Sequence, residues 1–177
     1  RMFEETRFDG SPLTRQYAET RQKWERLAEL TQIKGQSESH PSLSPNDEFA
    51  SWDLWDKGNL IGTEKKPGQW RTEYWREALK SGLRLEQTLG VNPFKLGANA
   101  GTDTHTGLSG VEEDNFWGKL ASLEPGPERV NKPFNKVTAA WEMTSAGFMG
   151  VWATSNTREA LWDAMERRET FATTGPR

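Results

Sequence analysis

A chain of 177 residues, 33% hydrophobic and 28% charged, has the length and composition of a single domain able to bury a core. Its formal net charge of −3 provides no basic face for the phosphates of a nucleic acid, and no apolar run is long enough to span a bilayer. Cysteine is absent, which excludes disulfides and thiolate metal sites but leaves the compartment open.

Ser11-Pro12 offers a cap and a first-turn proline for a helix reaching about Arg26, with Arg15, Glu19, Arg21, Lys23 and Glu25 on a solvated face. Leu27-Ala28-Glu29-Leu30-Thr31-Gln32-Ile33 alternates apolar and polar residues, as a half-buried strand does, and ends at Gly35. Ser44-Pro45-Asn46-Asp47 combines a cap, a proline and an acidic first turn, which predicts a short helix to about Trp55. Residues 56–68 carry three glycines and one proline and read as a loop. The longest helical pattern covers residues 69–89, where Tyr74, Trp75, Ala78, Leu79 and Leu83 recur at helical spacing before a stop at Gly90.

Residues 93–100 predict a strand that delivers the chain to Gly101-Thr102-Asp103-Thr104-His105. A Gly-rich, acidic loop over 106–114 precedes a helical piece at 115–120, and three prolines mark 124–136 as a surface loop. Residues 148–153 predict another strand. Asn156 caps a helix with Glu159 three residues on, its apolar stripe being Ala160, Leu161, Ala164 and Met165, and residues 170–172 begin a last strand. Strands alternating with helices predict an α/β architecture with parallel pairing.

The chain has two histidines, and each follows a carboxylate by two residues: Glu38-Ser39-His40 and Asp103-Thr104-His105. In an extended segment, residues two apart project from the same face, so each carboxylate and imidazole would point into one space beyond a strand. Mixed imidazole and carboxylate donors suit zinc, manganese or iron, which makes Asp103, His105, Glu38 and His40 the candidate metal ligands. Either pair alone is more often structural than catalytic; their repetition is what raises the metal reading. Glu112-Glu113-Asp114 is more readily a solvated loop than a ligand set. Lys34, Lys95, Lys119 and Arg177 are cations that could meet an anionic substrate, though each by itself reads as a surface charge. Nine tryptophans could stack on sugars, which keeps a carbohydrate- or ligand-binding module as the alternative function, yet their positions favour core packing.

Gln32-Ile33-Lys34-Gly35-Gln36-Ser37-Glu38-Ser39-His40-Pro41, Asn92-Pro93-Phe94-Lys95-Leu96-Gly97 and Gly101-Thr102-Asp103-Thr104-His105 together resemble the bacterial family called domain of unknown function 3604. Val151-Trp152-Ala153, Asn156-Thr157-Arg158-Glu159-Ala160-Leu161 and Arg168-Glu169-Thr170-Phe171-Ala172-Thr173-Thr174-Gly175-Pro176-Arg177 extend the resemblance to the C-terminus. That family is similar to the polymerase-and-histidinol-phosphatase (PHP) superfamily of metal-dependent phosphoesterases. The resemblance implies a distorted seven-stranded β/α barrel with a metal cluster at the strand C-termini. Asp103 and His105 would match the closing Asp-x-His ligands, Glu38 the mid-chain glutamate and His40 a neighbouring histidine. Metals in such clusters lower the pKa of bound water and polarise the phosphoryl group. The superfamily's opening His-x-His is absent. The chain, which begins Arg1-Met2-Phe3-Glu4, is therefore expected to be the C-terminal fragment of a larger metal-dependent hydrolase. That fragment is expected to be inactive alone, to bind metal weakly at most, and to self-associate through exposed strand edges.

Overall fold

A computed structural model describes residues 2–108, 114, 117–123, 126–143 and 147–174. The first helix, α1 (Arg15–Trp24), starts where the Thr14 hydroxyl accepts the Tyr17 N–H, one turn later than Ser11-Pro12 suggests. Pro12 instead bridges back to Thr6. From α1 the Arg21 guanidinium reaches the carbonyls of Met2 and Glu4 and lies 4.8 Å over the Phe94 ring, tying the N-terminal segment down.

Strand β1 (Leu27–Gln32) emerges directly from α1 and pairs in parallel with β3 (Gly97–Ala100), with Leu27 opposite Gly97 and a register shift between Glu29 and Thr31. On its other edge β1 turns into the two-residue strand β2 (Gly35–Gln36), which covers only Thr31 and Gln32. A second, antiparallel sheet joins β4 (Met149–Val151) to β5 (Thr170–Ala172). The Thr170 hydroxyl donates to the Ala98 carbonyl at 2.7 Å, which sets β5 beside β3. The α/β expectation is met, but parallel pairing holds only between β1 and β3, the β1–β2 and β4–β5 pairings being antiparallel, and among the described residues the strands do not close into a barrel.

Helix α2 (Trp75–Leu89) buries Ala78, Ser81, Gly82 and Leu85 and ends at left-handed Gly90. A core of Phe3, Leu13, Ala78, Leu85, Phe94 and Leu96 fills the space between this helix and the strands. Phe94 is fully buried and meets Phe3 edge-on at 5.9 Å, an arrangement the ring quadrupoles favour. The helix approaches closely because position 82 lacks a side chain: a Cβ there would lie 2.2 Å from the Asn92 amide oxygen, which accepts the Phe94 N–H. A smaller core of Ile33, Trp55 and Met143, with Phe134 against it, lies beyond the end of β1. Helix α3 (Arg158–Glu166) turns its Ala160, Leu161, Ala164 and Met165 stripe inward, and its cap is Thr157 rather than Asn156.

Several predicted elements take another form. Residues 44–55 are successive turns, because the Asp47 carboxylate takes the Phe49 N–H and Asp53 adopts a positive φ of 42°. The long pattern at 69–89 breaks into a 3₁₀ turn (Gln69–Thr72) and α2, with Tyr74 extended between them and buried. Leu83, placed on the apolar stripe by spacing, is 63% exposed. The predicted piece at 115–120 is not helical over 117–120, where it is described, and the predicted loop at 124–136 includes a 3₁₀ turn (Pro127–Val130).

Candidate functional site at the strand ends

Because β1 and β3 run in parallel, their C-termini deliver the following residues to one end of the sheet, where α/β proteins place their ligands. The ladder continues past both strands: the Gly101 N–H donates to Thr31 and the Ile33 N–H to Thr102, at 3.3 and 3.1 Å. This sets Lys34, in the tight turn after β1, near Asp103, in the bend after β3. Gly35 makes that turn possible, since its φ is +124° and a Cβ would stand 2.5 Å from the Asp53 carbonyl.

Asp103 has a φ of +52°, a left-handed conformation that aspartate tolerates better than most residues. Its carbonyl accepts the Lys119 ammonium at 2.6 Å, and its carboxylate accepts the same ammonium. Lys119 is only 5% exposed, and the His105 N–H donates to its carbonyl at 2.8 Å. The half-exposed His105 ring turns back so that Nδ1 lies 2.9 Å from the Asp103 carbonyl and 4.0 Å from its carboxylate. Lys34 has no hydrogen bond or ion pair among the described residues. Burial pulls its ammonium down to about 8; the charges of Glu29 and Asp103 oppose that pull, and those of Lys119 and Lys65 add to it. Lys65, arriving from a distant loop, donates to the Trp55 carbonyl and sits against the Glu73 carboxylate, both at 2.8 Å.

The other carboxylate–histidine pair diverges. Arg76 forks onto Glu38, with contacts of 2.6 and 3.1 Å, and also holds Asp47. His40 turns away from both. Its Nδ1 accepts the Ser42 N–H at 3.1 Å, which assigns the proton of the neutral ring to Nε2, 3.5 Å from the Asp56 carboxylate. The ring stacks on Trp70 at 4.2 Å and meets Tyr74 edge-on. Burial, then Asp56 and Glu73, push the Tyr74 phenol far above its ordinary value.

One family model spans residues 1–177 of the chain. The chain belongs to the DUF3604 family, described as a protein of unknown function. No curated protein and no solved structure matches it.

In this DUF3604 chain, Asp103 and His105 remain together, whereas Glu38 and His40 are committed to other partners. Among the described residues no three imidazole or carboxylate groups stand close enough to hold one metal ion. Glu112, Glu113 and Arg177 lie outside the described residues. Position two residues apart did not carry both pairs onto a shared face, because neither segment is regular strand. Lys65, Arg76 and Asp56 were not signalled by any local pattern; only the fold brings them to these partners.

The tryptophans also depart from expectation. Trp55 is buried, while Trp24, Trp52, Trp117, Trp141, Trp152 and Trp162 are exposed. Trp24 and Trp162 line one groove of about 640 Å³ beside the start of β1, floored by Phe3, Leu27 and Leu96.

Proposed function

We propose that this DUF3604 chain contributes part of a hydrolytic site for phosphate esters, as the resemblance to the PHP superfamily and its distorted barrel implies. The supporting observation is the placement of Asp103 and His105 in one bend at the C-terminal end of β3, with the carboxylate already facing a cation. The two residues are a partial donor set for zinc, manganese or iron. The remaining ligands would come from outside the described residues. What the chain's own groups do is narrower. The Asp103 carbonyl accepts from His105 Nδ1, which leaves Nε2 of the half-exposed imidazole as the nitrogen able to take up a proton, and the Lys119 ammonium beside them favours an anionic substrate.

Calorimetric titration with manganese and zinc tests the reading. Weak uptake that disappears in Asp103→Ala and His105→Ala supports it; uptake unaltered by both substitutions overturns it. In a longer polypeptide containing this chain, manganese-dependent turnover of generic phosphomonoesters or diesters should be lost in the same variants.

A second reading draws on the exposed indoles of Trp24 and Trp162, which flank one groove as a sugar-stacking site would. Quenching of tryptophan fluorescence by oligosaccharides, abolished in Trp24→Ala and Trp162→Ala, is the expected result. No response across neutral and acidic oligosaccharides rejects it.

A further inference from the structure

The bend that holds Asp103 and His105 carries a cation of its own. Lys119 is buried, and both acceptors of its ammonium among the described residues belong to Asp103: the carbonyl at 2.6 Å and the carboxylate. Its main chain is fastened to the same bend, since the Lys119 carbonyl accepts the His105 N–H at 2.8 Å. Lysine and bend are therefore tied twice, once through the side chain and once through the backbone. The histidine is committed in a similar way. A carbonyl only accepts, so its 2.9 Å contact with His105 Nδ1 places a proton on that nitrogen, the one that faces Asp103. A divalent ion held by both residues needs an imidazole lone pair and an unencumbered carboxylate converging on one point. As folded, the pair offers a protonated nitrogen and a carboxylate already neutralised, which does not fit such an ion.

We infer that Lys119 is the resident cation of this bend, and that a divalent ion gains Asp103 only by displacing its ammonium. The identity of the competitor rests on the metal reading above. Displacement is unfavourable because a buried ammonium that loses this carboxylate is left without a counter-charge among its hydrogen-bond partners. The same contact positions the bend. It holds Asp103 at its φ of +52° and, through the Asp103 carbonyl, the His105 ring. Lys119 is thus a positioning residue whose loss should strengthen ion binding. A lysine with a purely structural role gives the opposite sign.

Calorimetric titration of the purified chain with zinc tests this in the wild type, Lys119→Met, Lys119→Arg and Lys119→Met/Asp103→Ala. Freeing the carboxylate from one charge-assisted contact predicts uptake about tenfold or more tighter in Lys119→Met. Lys119→Arg keeps the charge and should bind as weakly as the wild type, and the double variant should lose the gain. Circular dichroism establishes that each variant is folded. A second measurement needs no variant: Lys119 in the wild type should resist acylation by acetic anhydride, read by mass spectrometry, and become reactive as zinc saturates. Uptake by folded Lys119→Met that equals or falls below the wild type overturns the inference, as does a Lys119 that zinc leaves unreactive. Wild-type uptake that Asp103→Ala abolishes but Lys119→Met leaves unchanged removes this inference alone and keeps the metal reading. Uptake independent of Asp103 in every variant, or absent from all of them, removes both.

Discussion

Replacing Lys34 by methionine should make the protein more stable. The substitution keeps the apolar stem and removes an ammonium group that burial disfavours, the main reason its pKa falls from 10.5 to about 8. At about 1.4 kcal/mol per unit, that fall corresponds to roughly 3 kcal/mol held against the folded state, and partial solvent access reduces it to about 2 kcal/mol. Between pH 8 and pH 10.5 the unfolded lysine still holds its proton while the folded one has shed it, so wild-type stability rises with pH across this window. Below about pH 8 the penalty is present in full. Urea unfolding of both proteins at pH 7, 8.5 and 10.5, followed by tryptophan fluorescence, isolates the residue, because all other titrating groups are common to the pair. Lys34→Met should be the more stable by about 2 kcal/mol at pH 7, with the difference closing towards pH 10.5. A variant equal to or weaker than wild type at pH 7, or a difference constant across the range, refutes the reasoning.

Asp103→Asn strands the buried Lys119 ammonium and should lower stability by about 3 kcal/mol, while the double variant Asp103→Asn/Lys119→Met recovers most of the loss; urea midpoints decide. Gly35→Ala forces a Cβ against the Asp53 carbonyl at a φ that alanine avoids, so a loss of about 2 kcal/mol or more and faster proteolysis near the turn are expected. Arg76→Met releases both Glu38 and Asp47 from a partly exposed guanidinium. A loss of only about 1 kcal/mol is expected, accompanied by faster amide exchange over residues 37–47.

Local pattern carried the regular elements whose neighbours share their period. The strand read at residues 27–33 and the stripe of Ala160, Leu161, Ala164 and Met165 both reappear, but β1 does not alternate: Leu30, Thr31 and Gln32 are all buried, because the strand runs inward between β2 and β3. Pattern failed where a distant group competes for the backbone. Residues 44–55 carry a good helix start, but Asp47 is claimed by Arg76 and by the Phe49 N–H. Tyr74 lies within a helical pattern yet is pulled extended between buried neighbours, its hydroxyl on the Trp55 carbonyl. The bend containing Asp103 and His105 was legible because both residues are local to one strand end. The lysine cluster was only half legible: Lys34 and Lys119 were among the candidate cations, but nothing in spacing joins them to each other or to Lys65. Tryptophan exposure was invisible for a similar reason, since spacing tells which residues share a face but not what covers it.

The first-turn amides of α2 have no side-chain cap; Trp75 and Arg76 donate instead to the carbonyls of Ser37 and Glu38, at 2.9 and 3.1 Å. The stretch bearing Glu38 and the fifteen-residue helix Trp75–Leu89 are thereby latched into one mechanical piece. Lifting that stretch would leave amides at the helix start unpaired, so it is poorly suited to act as a hinged cover. On the function proposed above, a ligand reaching Asp103 would meet the half-exposed His105, while the Glu38 stretch stays fixed to its helix.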